Sequence, residues 1–200
     1  MSFRIKNCCG VFDGTKSRKR KRKRGIRVLS FDGGGSKGLL TLEMLEKVKK
    51  ATGKEPHELF DVMVGTSTGG VLSVLLGVLK MSLEDTKALY EDLVTSIFTY
   101  NPWMSSAKLI LSYAYYNEGN YELLLEKVVG DRKFTETDPD APKVAIVASD
   151  LTNYPIDVML FRNYGLKGGS YKGTFQAFLK QGLRATTAAP TYFNPIRLRH

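Results

Sequence analysis

Two hundred residues, 42% of them apolar, suffice for one globular unit plus a tail, and a chain of this size buries a core without disulfides. The net charge of +10 is uneven: Lys16 and the unbroken run Arg18 to Arg24 supply eight positive charges and leave +2 for the remainder. The basicity therefore belongs to a tail, and the charge balance does not mark a nucleic-acid-binding domain. The only cysteines, Cys8 and Cys9, are neighbours, ill placed to bridge each other and too few for a metal cage. A reducing, intracellular compartment is the default, cytoplasmic or peripheral to a membrane. Residues 1 to 15 hold no continuous apolar run of the signal-peptide kind. The most apolar stretch, Val71 to Leu79, is far short of the ~20 residues that span a bilayer.

Residues 1 to 25 read as a flexible basic arm. Arg27 to Phe31 is a short buried strand, followed by the glycines at 33, 34 and 35. Leu39, Leu42, Leu45 and Val48 then recur at helical spacing, with Gly53 as the stop. Phe60 to Val64 is a second strand that runs into Gly65-Thr66-Ser67-Thr68-Gly69-Gly70. Val71 to Leu79 is a helix apolar nearly all round, hence buried. Ser82 caps a helix continued by Leu89, Leu93 and Ile97. The stretch Tyr100 to Asn120 is aromatic and poorly periodic, and reads as an insertion or lid. Tyr121 to Val129 is a helix closed by Gly130, Lys143 to Ala148 a third strand after Pro142, Asp157 to Phe161 a fourth, and Phe175 to Arg184 a last helix. Strands alternating with helices imply a doubly wound α/β fold, a largely parallel sheet with helices on both faces.

Two glycine-rich segments carry the chemistry. Gly65-Thr66-Ser67-Thr68-Gly69 is a G-x-S-x-G set between a strand and a buried helix, the context in which a serine hydroxyl is held out at a sheet edge as a nucleophile. Without that context it would read as a plain glycine turn. Asp32-Gly33-Gly34-Gly35-Ser36-Lys37-Gly38, after the first strand, lets backbone N–H groups approach a developing oxyanion with no side chain in the way. The spacing of Gly33, Gly35 and Gly38 also matches a dinucleotide fingerprint. That fingerprint wants an acidic residue ending the second strand, where this chain has the Ser67 turn. The phosphate-loop pattern fails for want of a Ser or Thr after a Gly-Lys pair. The only histidines are His57 and His200. A Ser-His-Asp triad is thus hard to build, and a serine activated directly by an aspartate fits the composition better.

Asp32 to Gly38 resembles the D-G-G-G-x-[RK]-G oxyanion motif of the patatin-like phospholipases. Phe60 to Gly70 is similar to that family's nucleophile segment, and Arg184-Ala-Thr-Thr-Ala-Ala-Pro-Thr-Tyr-Phe193 to its R-A-[ST]-[ST]-A-A-P-x-Y-F segment. Phe161-Arg-Asn-Tyr-Gly165 resembles the calcium-independent phospholipase A2 gamma branch with its plant and microbial relatives. The likeness covers about residues 26 to 196, in the family's order.

The resemblance implies a patatin-like domain over residues 26 to 200 that hydrolyses fatty-acyl esters of phospholipids through a Ser-Asp dyad, with neither metal nor cofactor. Ser67 is then the nucleophile on an elbow of Gly65, Thr66, Thr68 and Gly69. Gly34 and Gly35 are the oxyanion donors, with Gly33, Lys37 and Gly38 shaping the loop. The family's aspartate sits in a D-G-[GA] motif shortly after the A-A-P-x-Y-F segment, and no Asp follows Asp157 here. It is expected beyond His200, with the domain incomplete at its C-terminus and residues 1 to 200 nearly inactive alone. The candidate substitute within the chain is Asp150, for which a turn with Thr152 and Asn153 is the better reading. A non-catalytic lipid-binding or regulatory fragment is the alternative function.

The Arg18 to Arg24 arm has three readings: a solvated tail, a nuclear or nucleic-acid patch, and a site for anionic membrane lipid. The last suits a lipase, and nucleic acid is the less fitting partner. Acylation of Cys8 or Cys9 would add a second anchor, and Ser2 excludes myristoylation.

Overall fold

A computed structural model describes residues 25–98, 118–166, 168, 171–190 and 193–198. The basic arm up to Arg24 and residues 100–117 of the Tyr100 to Asn120 stretch, read above as an insertion or lid, lie outside the described residues, while Glu118 to Asn120 begin a helix.

In chain order the elements are β1 (Val28–Phe31), a 3-10 turn (Gly35–Lys37), α1 (Gly38–Thr52), α2 (Pro56–Leu59), β2 (Val62–Thr66) and α3 (Thr68–Ser73). α3 runs on as a π-helical turn over Val74–Val78. Then come α4 (Leu83–Phe98), α5 (Glu118–Val129), a 3-10 turn (Phe134–Glu136), β3 (Lys143–Asp150), β4 (Asp157–Arg162), β5 (Lys172–Thr174) and α6 (Leu179–Thr186). The strands form one sheet in the order β1-β2-β3-β4-β5. All neighbours are parallel except β3 and β4, which pair antiparallel. The mixed α/β class with a mostly parallel sheet is thus what the sequence pattern predicts.

The caps are local. Gly53 ends α1 in the left-handed region at φ 68°, and its N–H bonds back to the Lys49 carbonyl, as a glycine stop should. The Ser82 hydroxyl accepts the Asp85 N–H at 3.0 Å and caps α4. Gly130, at φ 53°, closes α5.

The register explains the core. Phe31, Gly65, Ile146 and Phe161 form one row across four strands, and Leu29, Met63 and Val144 the next. These rows share a face because side chains alternate along each strand. The row is deep in apolar bulk except at Gly65, and α3 enters that gap. A Cβ on Gly65 would lie 2.1 Å from the Gly69 carbonyl oxygen, so only glycine lets the helix backbone touch the sheet here. Every residue from Thr68 to Val78 is buried, which is why this stretch is apolar all round. α3 and α6, the helices with the most extensive described contacts to the strands, lie on this face, and α1 and α4 pack behind. Along the other face, Val28 and Val158 remain 54% and 43% exposed.

Several elements differ from the pattern-based expectation: β2 runs Val62–Thr66 rather than Phe60 to Val64, β1 is buried only at Phe31, and the short α2 was not expected. The last helix starts at Leu179, not Phe175, because the Ala177 carbonyl and Phe178 are engaged with Phe134 and Lys133. The Val71 to Leu79 helix begins at Thr68, directly after the serine, and widens to π geometry at Val74. β5 was not foreseen: it is three residues in a glycine-rich segment, and its pairing with β4 is a tertiary event. Among the described residues no helix is long and apolar enough to cross a membrane.

Candidate active site

β2 delivers Thr66 and Ser67 to its C-terminal end, where Thr66 pairs with Val147 of β3 and the ladder stops. Ser67 then turns the chain at φ 53° and ψ −127° into α3. That is a strained conformation for a residue with a side chain, costing on the order of 1–3 kcal/mol. The Gly65 and Gly69 contact makes the turn tight enough to present Ser67 at the edge of the sheet, at the first turn of a buried helix. Thr68, at 6% exposure, starts that helix, and the Ser73 hydroxyl returns a bond to the Gly69 carbonyl at 2.9 Å.

The Asp32 to Gly38 segment leaves β1 beside this turn. A Cβ on Gly33 would stand 3.0 Å from the Ser67 Cβ and 3.3 Å from the Thr66 carbonyl oxygen, so the loop lies directly against the serine. Gly35 takes φ 58°, and Lys37 N–H closes the turn onto the Gly34 carbonyl at 3.2 Å. Among the described residues, the Gly34 and Gly35 N–H groups donate to no backbone acceptor. Gly38 opens α1 against Tyr90 of α4: a Cβ there would fall 2.2 Å from the phenol oxygen. The Tyr90 hydroxyl donates to the Gly35 carbonyl at 2.7 Å and so pins the loop from beneath. Tyr90 is fully buried. Nothing in its helical spacing distinguishes it from an ordinary core residue, so local pattern does not reveal it.

Arg184 and Phe193, the two ends of the R-A-T-T-A-A-P-T-Y-F segment, meet. The Arg184 guanidinium lies 5.4 Å over the Phe193 ring, which stacks on Tyr121 at 5.5 Å. Arg184 Nε also meets Glu122 at 3.3 Å. Between these ends, Thr186 reaches Ser67: the Ser67 N–H donates to Thr186 Oγ1 at 2.8 Å. This contact spans 119 positions and is invisible to local pattern.

Asp150 ends β3, three residues beyond the Val147 that pairs with Thr66. Its carboxylate accepts both the Thr152 hydroxyl at 2.6 Å and the Thr152 N–H at 3.0 Å, the turn that its sequence neighbours predict. These bonds, with Lys172 nearby at 3.7 Å, hold its carboxyl below the ordinary carboxylate range and make it a weak proton acceptor. His57 is at the start of β2's approach, in α2, at the opposite end of that strand from Ser67. Among the described residues no three His, Cys, Asp or Glu side chains come together as metal ligands.

The site is therefore a serine on a strained strand-to-helix turn beside a glycine loop, in an α/β fold with a mostly parallel sheet. The family model for patatin-like phospholipases matches residues 29–200. The chain belongs to that family. It is 39% identical over 176 residues to calcium-independent phospholipase A2-gamma of Rattus norvegicus, covering 85% of this chain and 23% of that one. It is 32% identical over 165 residues to phospholipase A I of Arabidopsis thaliana, covering 71% of this chain and 13% of that protein. The chain thus spans less than a quarter of either relative. Its fold resembles ExoU, solved in complex with SpcU from the type III secretion system of Pseudomonas aeruginosa, with a TM-score of 0.51 at 13% identity over 82% of this chain and 36% of that one.

Proposed function

We propose that this chain carries the nucleophile and oxyanion loop of a phospholipase A type lipid acyl hydrolase. The observation that carries the reading is the contact between Gly33 and a strained Ser67, which puts glycine-loop amides beside a serine at a helix N-terminus. Ser67 Oγ attacks the ester carbonyl carbon, and the carbonyl electron pair moves onto oxygen, where the Gly34 and Gly35 N–H groups receive it. One such donor is worth roughly 3–4 kcal/mol in the transition state. Collapse expels the lysolipid alcohol, which leaves with a proton, and water then releases the fatty acid from the acyl-serine.

Ser67 needs a base. Asp150 is occupied in its turn, and we assign the role to the family's dyad aspartate, in a D-G-[GA] motif outside residues 1–200. Phospholipid is the substrate class, by analogy with the family's named members. The arm at Lys16 and Arg18 to Arg24 attracts the anionic face of an intracellular membrane, at about 1 kcal/mol per charge near the surface.

The reading is tested with a fluorophosphonate probe on the full-length protein. Labelling should fall on Ser67 and vanish in Ser67→Ala; unchanged labelling of that variant overturns the assignment. Residues 1–200 alone should hydrolyse a fluorogenic acyl ester at least ~10³-fold more slowly than a chain extended through the D-G-[GA] motif. Equal turnover would return the base to a residue within the 200. For the arm, co-sedimentation with phosphatidylserine vesicles should weaken as salt shortens the ~8 Å screening length. It should be lost on deleting residues 16–24.

A further inference from the structure

We propose that Thr186 is the positioning residue that holds the Ser67 turn in its working geometry. The inference rests on the reading of Ser67 as nucleophile and adds a residue 119 positions away.

Ser67 leaves the β2 ladder at the point where its N–H has no strand partner, because the last register pair is Thr66 with Val147. A buried or half-buried N–H needs an acceptor. Thr186 supplies it at 2.8 Å, and the same hydroxyl donates its single hydrogen to the Val147 carbonyl at 2.5 Å. A hydroxyl has one hydrogen and two lone pairs. With the hydrogen committed to Val147, a lone pair faces Ser67, so the direction of the chain of bonds is determined. The Val147 carbonyl also receives the Thr66 hydroxyl at 3.2 Å. The Thr186 oxygen in effect extends the sheet by one rung, spacing the strained serine away from β3 while keeping it tied to β3.

The methyl of Thr186 acts on the other side of the turn. A Cβ on Gly70 would lie 3.0 Å from Thr186 Cγ2, so the side chain packs on α3 just past Ser67. One residue therefore grips the turn before and after the nucleophile. Its own base is firm: Thr187 bonds the Leu183 carbonyl at 2.8 Å and Tyr121 at 3.2 Å, and Leu179 and Leu183 of α6 are buried.

Thr186 touches no reacting atom in this arrangement. It acts on where Ser67 Oγ stands relative to the Gly33 to Gly35 amides. Release of the Ser67 N–H would let the strained turn relax and move Oγ away from that loop, and displacement near 1 Å costs up to about 100-fold in rate.

The test compares Thr186→Val, which keeps the shape and removes the hydroxyl, with Thr186→Ser, which keeps the hydroxyl. In the full-length protein, Thr186→Val should lower the maximal rate of fluorophosphonate labelling about 10- to 100-fold with the probe's apparent affinity unchanged. Thr186→Ser should stay within about threefold of the parent, since the bond survives and only a methyl is lost. A merely structural role would instead follow the methyl, with Thr186→Ser the slower variant. Hydrogen exchange of the amides in residues 65–70 gives a readout independent of chemistry: it should quicken in Thr186→Val and not in Thr186→Ser. Parent-like labelling by Thr186→Val, or equal exchange in both variants, overturns the proposal. Labelling that persists in Ser67→Ala instead defeats the nucleophile reading, while the exchange contrast still reports whether the tie exists.

Discussion

The two halves of the sheet are built on different principles. In the parallel half, β1, β2 and β3 pack against α3 through glycines that leave no room for a side chain, and Ile146 and Val144 are fully buried. At the β4–β5 edge the ion pairs lie at the surface, Lys172 bonding Asp157 at 2.6 Å and facing Asp150 at 3.7 Å, while Phe161 of β4 joins the common core. Salt bridges of this exposed kind contribute little to stability. Close backbone packing cannot relax around an added atom, whereas a solvated ion pair is replaced by water at small cost. The candidate site stands on the close backbone contact of Gly65 with Gly69, where an added atom meets main chain.

Substitutions should separate the halves sharply. Gly65→Ala should have the largest effect. The new methyl meets backbone, the Gly69 carbonyl at 2.1 Å, and cannot be turned aside. A loss of about 3 kcal/mol or more is expected in denaturant unfolding. A stable Gly65→Ala protein would show that α3 can lift from the sheet. Ile146→Ala, in the same row, should cost about 2–5 kcal/mol by leaving a cavity under α3 and α6. The same denaturant series measures it.

Tyr90→Phe tests the seam between core and site. The ring stays and the hydroxyl goes, so the Gly35 carbonyl loses its 2.7 Å partner. Stability should drop by about 1–2 kcal/mol. Labelling at Ser67 should slow by more than that drop alone explains, because the glycine loop is unpinned. Parent-like labelling would confine Tyr90 to packing.

Among the surface ion pairs, Asp150→Asn at the end of β3 should leave labelling at Ser67 within about twofold of the parent. The sign of any pH dependence is set by its depressed pKa. A carboxyl held below its unfolded value stabilises the fold above about pH 4 and loses that contribution as pH falls through the folded pKa. Urea midpoints of parent and Asp150→Asn should therefore converge in acid and differ slightly at neutral pH. A collapse of labelling in Asp150→Asn would restore Asp150 as the base and erase the contrast between the halves.

Sequence by itself determined the local elements. A helix stop such as Gly53, the apolar run of β3 after Pro142, and the all-apolar stretch after Ser67 each depend on neighbours within a few residues, so local pattern and cap chemistry suffice to place them. The glycine loop and the G-x-S-x-G turn were legible for the same reason, since both are short backbone motifs with a required residue type. Tertiary structure alone decided the rest. The antiparallel turn of β4 onto β3, the start of α6 at Leu179, and the short β5 depend on which partners the chain meets far away. So do the two hydroxyls that grip the site. Tyr90 looks like any helical core residue, and Thr186 lies 119 positions from the serine whose N–H it accepts. A hydrogen bond between distant segments leaves no period in the sequence, because its geometry exists only after the sheet and α6 have packed.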